Sequence, residues 1–317
     1  KLLPTVHPMR PEMSKVGLNY KTDSDIAGWT LTPWENFYVV NYDKNTSYGG
    51  ERFLRASSPS FIKHFETRVK DKAQASENFS QQVRRLIQIR TRSKYEYGVK
   101  KGKLDQARLA RIALRQPGFS ERVFKNKINN LVLDASCTIL VDMSGSMTGD
   151  KVLFACEAVF LLNKVFKAID VPLEILGFTD WGEHPLMYVY KSFSTPKIED
   201  SQLIEYFSKS STYMTGNPDG DAILWAHNRL VKRREKKRLL IVMSDGQPAA
   251  SRSQIGLGHF TKAVITEIEK QKYVDIYGLG LSSECVTEYY KNHSVVKSPE
   301  QIPVQLLQLL ERKLINV

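Results

Sequence analysis

Ile139-Leu140-Val141-Asp142-Met143-Ser144-Gly145-Ser146-Met147 decides the fold. Three apolar β-forming residues run straight into Asp-x-Ser-x-Ser. The stretch predicts a buried strand ending in a loop that carries one carboxylate and two hydroxyls at alternate positions. Alternate residues of extended chain point the same way, so Asp142, Ser144 and Ser146 can converge on one point. Oxygen-only donors suit a hard cation, Mg²⁺ above all. The bland reading is a helix N-cap, because Ser and Asp after a strand often only cap the next helix. A second stretch weighs against it. Leu239-Leu240-Ile241-Val242-Met243 leads into Ser244-Asp245-Gly246-Gln247-Pro248. Two buried strands delivering acids at their carboxyl ends is how an open α/β sheet builds a site at its rim.

Outward from these two stretches, strands and helices alternate at α/β spacing. Strands are expected at 136–142, 173–179, 238–244, 273–280 and 294–296. Helices are expected at 149–168, 198–209, 220–234, 259–271, 284–291 and 299–314. Met187–Phe193 reads as an antiparallel edge strand. The fold class is therefore α/β, a doubly wound and mostly parallel sheet with helices on both faces. Three segments follow: an extended N-terminal arm over 1–58, a basic helical region over 59–130, and the α/β domain over 131–317. In the helical region Phe61, Phe65, Val69, Phe79, Val83, Leu86 and Ile87 recur near helical spacing. Gly98 and Gly102 break that helix, and Asp105 starts a short second one ended by Pro117-Gly118. Val123-Phe124 opens a strand. The arm carries Pro33-Trp34-Glu35-Asn36-Phe37-Tyr38-Val39-Val40, read as a short strand or an anchor.

Charge divides the chain in the same places. The net charge is +12 over 317 residues, yet residues 51–130 hold 20 lysines and arginines against 7 acids. Arg84, Arg85, Arg90, Arg92, Lys100 and Lys101, with Lys103, mark a surface for an acidic partner or for nucleic acid. A solvated helical face is the simpler reading, because few aromatics are interleaved. The three cysteines, Cys137, Cys156 and Cys285, have neither disulfide nor zinc spacing, and the first two sit in apolar patterns. A reducing, cytoplasmic location is expected. No signal peptide pattern is visible, and no apolar run approaches the roughly 20 residues needed to span a bilayer.

The third side of the site should come from Thr215-Gly216-Asn217-Pro218-Asp219-Gly220. Asn217 could ligate through its amide oxygen and Asp219 directly or through water. Both also belong to strong turn formers, so turn and ligand stay open for each. His227 reads as packed against its apolar helix, and His184 as a surface-loop residue. There is no Gly-rich Lys-Ser/Thr phosphate loop, so ATP hydrolysis by this chain is not expected. Ser144 and Ser146 have no identifiable His and Asp for a triad, and Asp142 with Asp245 is too few carboxylates for two-metal hydrolysis. A binding module, not a catalyst by itself, is the expectation.

Asp142-x-Ser144-x-Ser146 with Ser244-Asp245-Gly246 resembles the metal-ion-dependent adhesion site of von Willebrand factor A (vWA) domains. The likeness sharpens with Gly102-Lys103-Leu104-Asp105-x-x-x-Leu109-Ala110-Arg111-Ile112, with Glu174-Ile175-Leu176-Gly177-Phe178-Thr179, and with Asn217-x-Asp219-Gly220-x-Ala222-Ile223-Leu224-Trp225-Ala226-His227-x-Arg229-Leu230. Over roughly 95–317 the chain is similar to the CobT family of cobaltochelatase subunits. That resemblance implies a magnesium site at Asp142, Ser144, Ser146, Asp245 and one group from 215–219. It implies a ring-forming AAA+ ATPase of the CobS or MoxR type as partner, and a target protein supplying an acidic ligand. The resulting picture is a metal-dependent module in a chelatase or remodelling complex, as a non-ATPase subunit. The alternative is a nucleic-acid-associated protein using 51–130. No membrane contact is expected.

Overall fold

The computed structural model describes residues 37–48, 51–55, 58–68, 94–106, 122–128, 134–182, 184–246 and 257–298, with a few single positions outside these runs. In chain order the named elements are β1 (Tyr38–Asn41), β2 (Thr46–Tyr48), α1 (Glu51–Arg55), β3 (Lys94–Val99), β4 (Lys103–Leu104), β5 (Phe124–Ile128), β6 (Ala135–Asp142), α2 (Asp150–Ala168), β7 (Leu173–Trp181), β8 (His184–Lys191), α3 (Asp200–Ser210), α4 (Asp219–Val231), β9 (Lys237–Ser244), α5 (Leu257–Gln271), β10 (Asp275–Leu281), α6 (Val286–Tyr289) and β11 (His293–Val296). A 3₁₀ turn over Gly145–Met147 joins β6 to α2.

All eight residues of β6 are buried. The cause is period-2 geometry in a strand covered on both faces. Ile139 and Val141 pack into one apolar core, while Leu140 between them packs into the other. β9 repeats the pattern, with Leu239, Ile241 and Met243 on the first side and Leu240 and Val242 on the second. α2 and α3 cover the first side, α4 and α5 the second. Helix α2 is apolar almost all round, as its burial between sheet and neighbours demands.

The main sheet has eight strands in the order β11-β10-β9-β6-β7-β8-β1-β2. β6 pairs in parallel with both β7 and β9, aligning Leu140 with Leu176 and with Val242. β10 and β11 extend the parallel run, and β8 pairs antiparallel to β7. From β6 the chain crosses first to β7 on one side and later to β9 on the other. The gap between β6 and β9 is thus the point where strand order reverses.

The structure redraws three expectations upstream. The arm is not only an anchor: β1 pairs in parallel with β8, and β2 pairs antiparallel with β1. β8 is therefore an interior strand and not the edge. The short strand read within 33–40 is thus present over Tyr38–Asn41, and Val39 and Val40 enter opposite cores. Second, the region expected to be helical over 59–130 contains a three-stranded antiparallel sheet, β3-β5-β4. Gly98 and Gly102 have φ of 77° and 142°, and the β3–β5 register shifts between Tyr97 and Val99. These glycines shape a strand turn, where helix interruption was expected. Third, His184 is the first residue of β8 and stands edge-on to Tyr38 at 5.4 Å, not in a loop.

The stretch 59–68 is helical, and its buried Phe61 and Phe65, four apart, lie on one face. Phe65 meets Phe160 of α2 edge-on at 6.3 Å. The helix expected after Asp105 and most of the one expected over 299–314 fall outside the described residues. Among the described residues no helix is long and apolar enough to cross a membrane. Cys137 and Cys156 are buried and unpaired.

Candidate metal centre

The parallel register sets the carboxyl ends of β6 and β9 side by side at the reversal point, the place where open α/β sheets bind ligands. Asp142 closes β6 and is fully buried. Its Oδ1 accepts the Ser144 backbone N–H at 2.8 Å, and its Oδ2 accepts the Ser244 hydroxyl at 2.8 Å. Ser144 and Ser146 stand with their hydroxyl oxygens 3.0 Å apart, and Ser146 donates to Asp245 Oδ1 at 2.7 Å. The other oxygen of Asp245 takes the Lys151 ammonium from the first turn of α2.

The third loop is held by the end of β7. Thr215 O accepts the Gly145 N–H at 2.6 Å, which ties the loop to the Asp-x-Ser-x-Ser turn. Thr215 Oγ1 donates to Asp180 O at 2.5 Å, and Gly216 N donates to Asp180 Oδ1 at 2.7 Å. Asn217 Oδ1 accepts the Ala249 N–H at 2.7 Å. That bond fastens the loop to the segment after Asp245 and leaves the amide oxygen a second lone pair. Asp219 differs. It starts α4, is 4% exposed, and its Oδ2 has no hydrogen-bond partner among the described residues.

Three carboxylates thus share one buried corner, and the electrostatics reflect it. Burial pushes Asp142 up to about 6, against the pull of its Ser144 and Ser244 hydrogen bonds, with Asp245 raising it further. Burial also drives Asp219 well above the ordinary carboxylate range, and Asp142 and Asp245 add to the rise. Excess negative charge in low dielectric favours a bound cation. Lys151 supplies one positive charge, on Asp245 only. Among the described residues no group of three or more His, Cys, Asp and Glu side chains could hold a metal by itself. Any ion here would therefore rely on the serine hydroxyls as well. The orphaned oxygen of Asp219 and the oxygen-only donor set fit a hard divalent cation.

Thr179 and Asp180 stand at a strand end that the sequence already places on the rim, where they were expected to shape the approach, and they hold the third loop; Lys151 was missed. A Thr-Asp pair at the end of a predicted strand is a usable signal, since strand ends line the rim. Lys151 had none, because its pairing is set by how α2 leaves the 3₁₀ turn. Beyond the corner, Trp181 and Tyr213 pack edge-on, and the Arg52 guanidinium lies 3.4 Å from the Trp181 ring centroid. α1 thereby sets a cation beside the rim. Of the basic residues singled out, Arg85, Lys100 and Lys101 are exposed, and Lys103 is exposed on β4. Arg84, Arg90 and Arg92 lie outside the described residues.

Gly216 is the tight point of the third loop. A Cβ there would collide with the Asp180 carboxylate and approach Ala249 O to 2.7 Å. Gly216→Ala is expected to destabilise by ~1–3 kcal/mol, the usual cost of overpacking. Gly246→Ala, whose Cβ would meet nothing nearer than Ser146 Oγ at 3.5 Å, should cost clearly less in the same thermal melts. Equal losses would mean the loop has room that the contacts deny.

With the geometry in hand, the profile of the family described as the cobalamin biosynthesis protein CobT VWA domain matches residues 123–186 and 185–315. The chain belongs to this family. As a CobT-type vWA chain it is 27% identical over 267 residues to the uncharacterized protein YojO of Bacillus subtilis (strain 168), covering 78% of this chain and 41% of YojO. The CobT-type chain thus spans less than half the length of that relative. Among solved structures it is similar to a von Willebrand factor type A from Catenulispora acidiphila, at 13% identity, 57% of this chain, 42% of that one and a TM-score of 0.38. It is also similar to the pilus adhesin SpaC from Lactobacillus rhamnosus GG, at 13% identity, 57% and 30% coverage and a TM-score of 0.43.

Proposed function

We propose that this chain is a divalent-metal-dependent binding module that works beside an AAA+ ATPase of the CobS or MoxR kind in a chelatase or remodelling complex. The observation that carries the metal half is the buried corner itself. Asp142, Asp219 and Asp245 converge with Ser144 and Ser146 at the strand-order reversal, and Asp219 Oδ2 has no hydrogen-bond partner among the described residues. Asp142, Ser144, Ser146, Asp219 and Asp245 would hold the ion, while Asn217 braces the loop. Bound there, a divalent cation such as Mg²⁺ would supply an electrophilic site for a carboxylate oxygen from a target protein. The chain's own part is to fix the hydroxyls and acids on rigid strand ends. Trp181 and Arg52 border the approach and favour an acidic incoming segment. The ATPase half rests on what the resemblance to cobaltochelatase subunits implies, and membership of a family described as a cobalamin biosynthesis protein is in keeping with the chelatase setting.

Mg²⁺ is expected to raise the melting temperature of the chain, since a ligand held only by the folded state stabilises it by about 2.7 kcal/mol at a hundredfold excess over Kd. Asp142→Ala should abolish that response. A variant that responds to Mg²⁺ like the parent would remove Asp142 from the site. Capture of an AAA+ partner or of the target is expected to be released by EDTA. A complex that survives both EDTA and Asp142→Ala would leave the protein as a scaffold.

One observation favours a second reading. Tyr97 on β3 is 53% exposed, with the Lys125 ammonium 5.8 Å from its ring and Lys100, Lys101 and Lys103 exposed nearby in sequence. An aromatic face among lysines is how single-stranded nucleic acid is held. Its mark would be RNA or DNA affinity falling steeply with salt. Affinity that stays flat across salt, or is absent, would exclude it.

A further inference from the structure

The end of the sheet opposite the metal corner holds a second cavity, of about 240 Å³. It lies between the C-terminus of α2, the start of β7 and the end of β8. On β7 the corner and this cavity are separated by most of a nine-residue strand, on the order of 25 Å.

Its lining is basic. Lys167, Lys191, Lys197 and Arg233 face it with a single acid, Asp170. Lys191 is the unusual member. It is 5% exposed, and its ammonium makes no hydrogen bond or ion pair with any described residue. The Asp43 carboxylate acts on it through space, and its Oδ2 also accepts Ser192 N at 3.1 Å, Ser192 Oγ at 2.6 Å and Thr195 Oγ1 at 2.6 Å. Burial and the neighbouring Lys167 pull Lys191 below the ordinary lysine range, with Asp43 opposing. Lys167 and Lys197 are exposed at the mouth and have no ion-pair partner among the described residues. Arg233 forks onto Glu235 and also lies 4.7 Å from the Phe193 ring centroid. The C-terminal dipole of α2, Asp170 and Asp43 oppose an anion here, but Lys167, Lys191 and Lys197 outnumber the two acids.

A mostly buried lysine whose neighbouring carboxylate is shared with three other donors keeps ammonium protons free, and a cavity lined by three lysines is a natural place for an anion that arrives from outside. We propose that this cavity binds a small phosphomonoester, its phosphate among Lys191, Lys167 and Lys197 and its organic body against Phe193 and Pro196. Three lysines suit a dianion as point charges, each with rotatable donors. The volume is below the usual range for drug-sized ligands, so the organic part is small. The site is independent of the metal corner and uses none of its residues.

Calorimetry on the whole chain, without divalent metal and at fixed ionic strength, tests this with inorganic phosphate and phenyl phosphate. Both are expected to bind saturably, phenyl phosphate more tightly. Lys191→Met should weaken both at least tenfold. The surface pair Lys167→Gln/Lys197→Gln keeps the test valid if Lys191→Met does not fold, and should weaken binding severalfold. Lys262→Gln, exposed on α5, should change nothing. Absence of saturable binding by the parent chain, or equal affinity in the parent and the Lys167/Lys197 pair, would overturn the site. Phenyl phosphate binding no tighter than phosphate would overturn the assignment of an ester.

Discussion

Arg229→Met is expected to lower the melting temperature by on the order of 10 °C, through a loss of ~3–5 kcal/mol. Glu174 stands near the start of β7 with its side chain fully buried. Arg229 of α4 reaches it with Nε 3.2 Å from both carboxylate oxygens and adds a third contact from Nη2. This pair clamps α4 to the central strand at the end away from the metal corner. Removing the arginine leaves a carboxylate with no water to solvate it, and that penalty exceeds what the intact pair contributes. Burial already raises the Glu174 pKa, with Arg229 holding it down. Without Arg229 the folded-state value rises further above the unfolded one. Stability of the variant should then be better at pH 5 than at pH 8, and be lost as pH climbs through the folded value. Replacing both partners, Glu174→Leu with Arg229→Met, should recover most of the loss. Thermal melts of the three variants at two pH values check this. A single variant as stable as the parent at pH 8 would show that solvent reaches Glu174.

The second large effect lies on the same helix. His227 is fully buried, neither ring nitrogen has a hydrogen-bond partner among the described residues, and burial holds its pKa down at about 4. The unfolded chain protonates it near 6.5. As pH falls from about 6.5 to about 4, the unfolded state gains a proton that the folded state refuses. Folding stability should fall across that window by about 3 kcal/mol from this group alone. The buried carboxylates act in the opposite direction, since Asp142, Asp219 and Glu174 are all raised and gain stability in acid. The difference between the parent and His227→Leu isolates the histidine. It should be flat above pH 7 and move by about 3 kcal/mol in favour of the variant by pH 4. Denaturant melts at pH 4, 5, 6 and 7.5 measure it, and parallel curves would contradict the assignment.

The residues that position the corner were legible in one dimension. Apolar runs such as Ile139-Leu140-Val141 and Leu239–Met243 can be buried on both sides only in the middle of a covered sheet, and each ends in an acid. Period and run length therefore determined strand type, the parallel α/β class and the rim on which Asp142 and Asp245 stand. His227 could be assigned to the core because its neighbours on α4 are apolar at helical spacing. These readings depend on short-range order, where the chain's own geometry fixes which side chains share a face.

Tertiary structure decided everything that depends on partners distant in sequence. A short strand over 33–40 was legible as one alternative, but only the pairing of β1 with β8 turns an expected edge into an interior strand. Asn217 and Asp219 were equivalent candidates on paper. The Ala249 N–H, 32 residues away, donates to the amide oxygen of one, while Oδ2 of the other has no hydrogen-bond partner among the described residues. Lys151 meets Asp245 across 94 positions, and Lys191 shares Asp43, about 150 positions away in sequence, with Ser192 and Thr195. Sequence pattern encodes burial, which is a property of each residue and its near neighbours. Pairing is a property of two or more residues brought within about 3 Å, and it is set only when the sheet has closed.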